Sequence, residues 1–342
     1  MSQPTTSLRA YALTRLALAV PMILILLSMV FLLMRVAPGD PVAAALGGKV
    51  SKEVLDEKRA ELGLDEPVPI QFLDYITDVA TFDFGRTITD DRAVMEVIAN
   101  NGAATLELVV SAMIIATTLG IFLGLVTGRF RDTPIDVAGR LFGIFVYATP
   151  VFFLGFLGQL IFGSMLGWLP TSGQASPMVQ YTLERTTNVL TLDAIIAGNW
   201  NALVDVLRHL AMPAFTLGLL ITGVLLRMVR VNLLQTLQGD YIEAARARGV
   251  AEHRVVYTHA FRNALVPVVT MIGLQFALLL SGAILTETTF NWPGLGNQLV
   301  RYLNNRDYTG VQGIITFFAV VVVIISVVID FVNAWIDPRV RY

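Results

Sequence analysis

Cysteine is absent from the 342 residues, which excludes a disulfide in any segment and any thiolate chemistry. Histidine occurs only at His209, His253 and His259, without H-E-x-x-H or Cys/His ligand spacing, so no metal site is expected. Lysine is limited to Lys49, Lys52 and Lys58, and no G-x-x-x-x-G-K-[ST] loop surrounds any of them. The chain therefore carries no P-loop of its own for ATP. Charge of both signs is scarce: 15% of residues are charged, against about 25% in ordinary globular chains.

The scarcity is local. Six intervals hold no charged residue at all: 16–34, 108–128, 141–183, 209–226, 263–286 and 308–329. Each has at least the 18 residues that a helix rising 1.5 Å per residue needs to cross a hydrocarbon core of about 30 Å. The interval from Tyr308 to Ile329 holds fourteen Val, Ile and Phe residues, favouring insertion by about 4–8 kcal/mol at roughly 0.3–0.6 kcal/mol each. Its β-branched richness would suit a buried strand, but strands run about 4–8 residues. Six membrane-spanning helices are predicted. Pro21 and Pro213 are compatible with them, because neighbouring helices re-satisfy the freed backbone groups. The first run follows Arg9 and Arg15 as a signal peptide would, but it is long for one and lacks a small-x-small cleavage site. It reads as a retained helix.

Six crossings put both ends on one side. Segments 1–15, 129–140, 227–262 and 330–342 carry 13 arginines and 7 acids; segments 35–107, 184–208 and 287–307 carry 11 lysines plus arginines and 19 acids. The crowding of Arg129, Arg131 and Arg140 in one short connection, and of Arg227 to Arg262 in another, makes that side cytoplasmic.

The external segment 35–103 reads as a small helical insertion between the first two spans, set apart from a core of residues 104–342. Ser51 is expected to cap a helix from Lys52 to Leu62 that ends at Gly63, and Gln71 to Ala80 is amphipathic. With about 70 residues it can bury only a modest core, and it is expected to pack on the membrane face as a lid or partner surface. Within 141–183 the third helix is expected to run to about Gly163, with Trp168 at the interface. Glu107 reads as interfacial, and Arg227 and Arg230 as snorkelling to the cytoplasmic boundary. Gln159, Gln275 and Ser281, polar groups inside spans, are candidates for a translocation path, with helix-to-helix hydrogen bonds as the alternative.

The connection at about 238–260 stands out. Asp240 can cap a short helix, Glu243 near its start and Arg248 near its end suit the helix dipole, and Gly249 can terminate it. Ala244, Ala245 and Ala247 keep the helix thin enough for a groove in another protein; an amphipathic helix on lipid headgroups is the alternative.

The pattern Glu243-Ala244-Ala245 with Gly249, followed by Pro267, resembles the EAA loop of ABC-importer membrane subunits. The likeness extends through Ala37-Pro38-Gly39-Asp40-Pro41, Leu62-Gly63-Leu64-Asp65, Phe84-Gly85-Arg86, Thr105-Leu106-Glu107-Leu108, Thr286-Glu287-Thr288, Trp292-Pro293-Gly294-Leu295-Gly296, Asn305-Arg306-Asp307-Tyr308 and Asp337-Pro338-Arg339. Over nearly the whole chain the sequence is similar to the first permease of dipeptide, oligopeptide and nickel import systems. That resemblance implies an all-α type I ABC-importer transmembrane domain in a bacterial or archaeal cytoplasmic membrane. It implies a heterodimer with a second homologous permease, two cytoplasmic ATPases that use ATP and Mg, and an extracytoplasmic substrate-binding protein. It implies that Asp240, Tyr241, Glu243, Ala244, Ala245, Arg248 and Gly249 form a coupling loop docked on an ATPase.

Neither a catalytic residue nor a cofactor bound by this chain is expected, and no nucleic-acid partner. An ion-coupled secondary transporter would need intramembrane carboxylates or paired broken helices, and the six intervals hold no charge. A membrane enzyme or sensor would need a catalytic cluster or a cytoplasmic output domain. Peptides are the expected cargo, with nickel chelates, glutathione and oligosaccharides as alternatives.

Overall fold

The computed structural model describes residues 8–36, 41–46 and 51–336; among them the backbone is helix, turn and loop, with an isolated bridge between Arg86 and Ala93 as its β contact. Five helices are long and apolar enough to cross a membrane: α1 (Leu8–Val36), α5 (Val94–Arg129), α10 (Trp200–Thr236), α13 (Phe261–Gly282, entered through residues from Glu252) and α16 (Tyr308–Ile336). Between α1 and α5 lie α2 (Pro41–Ala45), α3 (Lys52–Glu61) and α4 (Val68–Ala80).

The sixth apolar interval is broken. The single helix expected from residue 141 to about Gly163 is instead α6 (Pro134–Ala148) and α7 (Val151–Gly158), with a π-helical continuation Gln159–Met165, and the two arms meet at 100°. Pro150 is the cause. It has no amide hydrogen to give an α-helix, and its ring pushes Thr149 out of the helical region, to φ −83° and ψ 129°. Pro21, Pro213 and Pro267 by contrast sit inside continuous helices.

The centre of the molecule is the α5–α10 pair. Ala112, Ala116, Gly120, Gly124 and Gly128 recur every fourth residue along α5 and are all buried. A Cβ added at Gly120 or Gly124 would stand 2.6 Å from the Cβ of Leu225 or Val229 on α10, and one at Gly128 2.8 Å from Leu233. In lipid there is little hydrophobic gain from joining two apolar helices. Close backbone approach and the dispersion contacts it allows supply the attraction instead, which is what small residues permit. α6 packs on α10 and α5; α13 packs on α10, α5 and α16; α1 lies outermost against α16.

Neither α3 nor α4 contains a buried residue. This segment is held against the spans: Phe31 of α1 stacks on Tyr75 at 5.7 Å and meets Phe72 edge-on at 5.2 Å. Arg35 donates to Gln71 at 2.8 Å, and Tyr75 shares a 2.6 Å hydrogen bond with Thr316 of α16. Gly63 ends α3 at φ +63°, as expected; Ser51 precedes α3 but makes no side-chain capping bond.

Candidate coupling surface and the elements behind it

Helix α11 (Asp240–Ala247) follows α10 after a three-residue turn and presents two unlike sides. Ile242 and Ala245 are buried against Leu233, Val255, Val256, Ala260 and Ala264. Asp240, Tyr241, Glu243, Ala244, Arg248 and Gly249 are exposed. Of the seven predicted loop residues, Ala245 alone faces inward and anchors the helix to the bundle. Gly239, rather than Asp240, is the N-cap residue, and no side-chain cap forms there. Gly249 closes the helix at φ +77°, with its amide donating to the carbonyl of Arg246 and that of Val250 to Ala245. Only glycine takes that φ without strain.

Two further contacts brace the helix. Arg246 donates to Glu252 at 2.7 and 3.1 Å, a pairing that raises the guanidinium above its ordinary value. Tyr241 accepts from Asn263 at 3.0 Å. Behind α11, α12 (Glu252–Arg254) runs into a π-helical turn, Val255–Ala260, that opens α13. α11 is thus joined to α10 through a short turn and to α13 through a packed core.

A buried ion pair ties a third element to this assembly. Arg230 on α10 donates to both carboxylate oxygens of Asp136 on α6, at 2.6 and 2.8 Å, and Asp136 is wholly buried. Asp136 also accepts from the amide of Asp132 at 3.1 Å. The expectation that Arg230 snorkels to the interface is overturned: a fork-shaped guanidinium in bidentate contact gains more from a fixed carboxylate than from headgroup water. Arg227 is exposed.

On the opposite side, buried carboxylates hold the connections together. Glu107, expected at the interface, is 4% exposed and accepts from Gln174 at 2.5 Å and from the amide of Thr191 at 2.8 Å. Helix α5 begins three turns before it, so Glu107 sits within the bundle with α8 (Pro177–Thr182) and α9 (Leu190–Ile196) folded over it. Glu287 on α14 (Ile284–Thr289) accepts from Thr105 at 2.7 Å and from the amide of Asn297 at 2.9 Å, capping α15 (Leu295–Asn304) from outside that helix. Gly294 and Gly296 leave room for that carboxyl group. Asp307 accepts from Thr89 and from the amide of Gly310. Tyr302 is buried beside Asp90, and that burial pushes its phenol up to about 12. In the sequence each of these acids was visible only as a charge at the edge of an apolar run, which reads equally well as interfacial.

Of the three polar residues predicted inside spans, Gln159 and Gln275 lie among the described side chains. Gln159 donates to the carbonyls of Thr171 and Thr289, at 2.8 and 3.0 Å, and so ties the π-helical turn to two connections. Gln275 is buried on α13. The side chain of Ser281 lies outside the described residues.

An apolar helical bundle with a broken crossing, bearing a two-faced helix on a short loop, has the architecture of a transporter's membrane subunit. Residues 116–342 match the family described as binding-protein-dependent transport system inner membrane component, and residues 8–109 match the corresponding N-terminal family; the chain belongs to this family of permease subunits. It is 35% identical to the dipeptide transport system permease protein DppB of Alkalihalophilus pseudofirmus, over 97% of this chain and 99% of that protein. It is 36% identical to the di/tripeptide transport system permease protein DppB of Pseudomonas aeruginosa, over 96% and 97%. It is 37% identical to the glutathione transport system permease protein GsiC of Salmonella choleraesuis, over 97% and 99%.

Proposed function

We propose that the chain is the permease subunit of an ATP-driven importer of short peptides. It pairs with a second, homologous permease; two ATPases that bind ATP and Mg supply the power stroke, and an extracytoplasmic binding protein delivers the cargo. The carrying observation is α11, packed on the bundle by Ile242 and Ala245 and open to a partner along Tyr241, Glu243 and Ala244. A rigid helix seated in an ATPase cleft would transmit closure to α10 and α13 as rigid-body motion, which is alternating access. Peptides are favoured as cargo by the dipeptide and di/tripeptide permeases among the relatives. The arginine-rich connections support a cytoplasmic position for α11 and both termini, the membrane being a prokaryotic inner membrane in this reading.

Glu243→Lys and Gly249→Pro test the docking. Both variants are expected in the membrane at normal levels, with peptide uptake and substrate-stimulated ATP hydrolysis by the reconstituted transporter lost together. Unchanged values of both would refute it.

A further inference from the structure

The two arms of the broken interval are held very differently. The first, α6, is fixed on α10: Arg230 grips the buried Asp136, and a Cβ added at Gly223 would stand 2.7 Å from the carbonyl oxygen of Gly143, so the two backbones touch. The second arm, α7 with its π-helical continuation to Met165, has Gly155 as its single buried residue. Phe152, Phe153, Phe156 and Phe162 are all exposed on it. In lipid such side chains gain little by packing on another apolar helix, so burial does not drive this arm onto the bundle. Few buried contacts mark a segment that opens at low cost.

What holds the arm is local. Gln159, where the helix widens into the π-turn, donates to the carbonyls of Thr171 and of Thr289 at the end of α14. A Cβ added at Gly155 would lie 3.0 Å from Thr289 Cγ2 and 3.1 Å from the ring of Phe290, so the arm rests on that end of α14. The rest itself is anchored, because Glu287 in α14 accepts from Thr105 of α5 and from the amide of Asn297. Between the arms the chain is jointed. Thr149 is extended and Pro150 has no amide hydrogen; the amide of Thr149 donates back to Phe145, while those of Phe153 and Leu154 both go to the carbonyl of Pro150. Each arm thus closes its own ladder. A fixed arm, a short joint at the ends of two helices and a second arm tied at one place make a hinged strap.

We propose that α7 and its π-turn are a gate on the side opposite α11, turning about Thr149 and Pro150 and latched shut on α14 by Gln159. The inference rests on the ATP-driven import reading above. α11 follows α10, and α10 holds α6 through Arg230, so ATPase closure acts on the base of this hinge.

The cysteine-free chain supplies the test in the reconstituted complete transporter. Gly155→Cys with Thr289→Cys places two Cβ atoms within the roughly 3.5–4.5 Å that a disulfide spans. Oxidation is expected to join them within this chain in the nucleotide-free state, to abolish peptide uptake until a reductant is added, and to join them no longer once ATP and vanadate trap the ATPases. Thr289→Cys alone, which leaves Gly155 in place, should react faster with maleimide in the trapped state. Gln159→Leu, which removes both latch donors, should slow nucleotide-free cross-linking and raise ATP hydrolysis in the absence of peptide. Equal cross-linking and equal labelling in the two states, full uptake by the cross-linked chain, or unchanged cross-linking in Gln159→Leu would overturn the gate and leave the import reading standing. A transporter that neither imports peptide nor hydrolyses ATP would overturn both.

Discussion

The Asp136–Arg230 pair shows how much depends on a single carboxylate. Asp136 has no exposed surface, and Arg230 delivers two of its donors to it. Removing one partner of a fully buried pair costs about 3–5 kcal/mol, and less here because Arg230 keeps 16% of its side chain exposed and Arg140 stands 3.6 Å from Asp136, whereas replacing both with apolar groups of similar volume is often neutral. Asp136→Asn is therefore expected to lower the thermal unfolding midpoint of the detergent-purified subunit strongly, and Asp136→Leu combined with Arg230→Met to restore most of it. A double variant as unstable as the two single variants added together would show that the two side chains act independently. Glu107 and Glu287 follow the same logic on the other side, each an acid made tolerable by hydrogen-bond donors from segments distant in sequence.

Between elements, the decisive feature is the ladder of small residues from Ala112 to Gly128. It lets α5 approach α10 so closely that Cβ atoms would collide at two of its positions. Gly124→Leu should destabilise the pair by about 1–3 kcal/mol or more, the usual cost of overpacking, since the backbones must separate. The midpoint of thermal unfolding and the yield of assembled transporter would both fall; an unchanged midpoint would show that the seam is looser than the structure places it. The seam also reaches α11. Leu233, next to the end of this ladder, also packs against Ile242, so one side chain links the seam to the coupling helix.

For the molecule as a whole, sidedness is the property most open to a direct measurement. Single cysteines at the exposed positions Asp56 in α3 and Arg248 after α11 should react from opposite sides of sealed vesicles, Asp56→Cys with an impermeant maleimide applied outside and Arg248→Cys only after permeabilisation. Labelling of both from one side would contradict the assigned topology.

Read alone, the sequence determined what local chemistry decides: the six apolar intervals, five of which are continuous helices as expected, the short helix at 240–247 and its glycine stop. Transfer of a side chain into lipid and the φ of a glycine depend on the residue and its near neighbours, so they are legible in order along the chain. Tertiary structure decided the 100° break at Pro150, since Pro213 is accommodated inside a continuous helix. It decided that Ala245 faces the bundle, that Glu107 and Glu287 are buried, and that Arg230 is partly buried, with partners 67 or more residues away. A charge at the end of an apolar run has the same local signature whether water or a distant donor satisfies it, and only the packing of the helices says which.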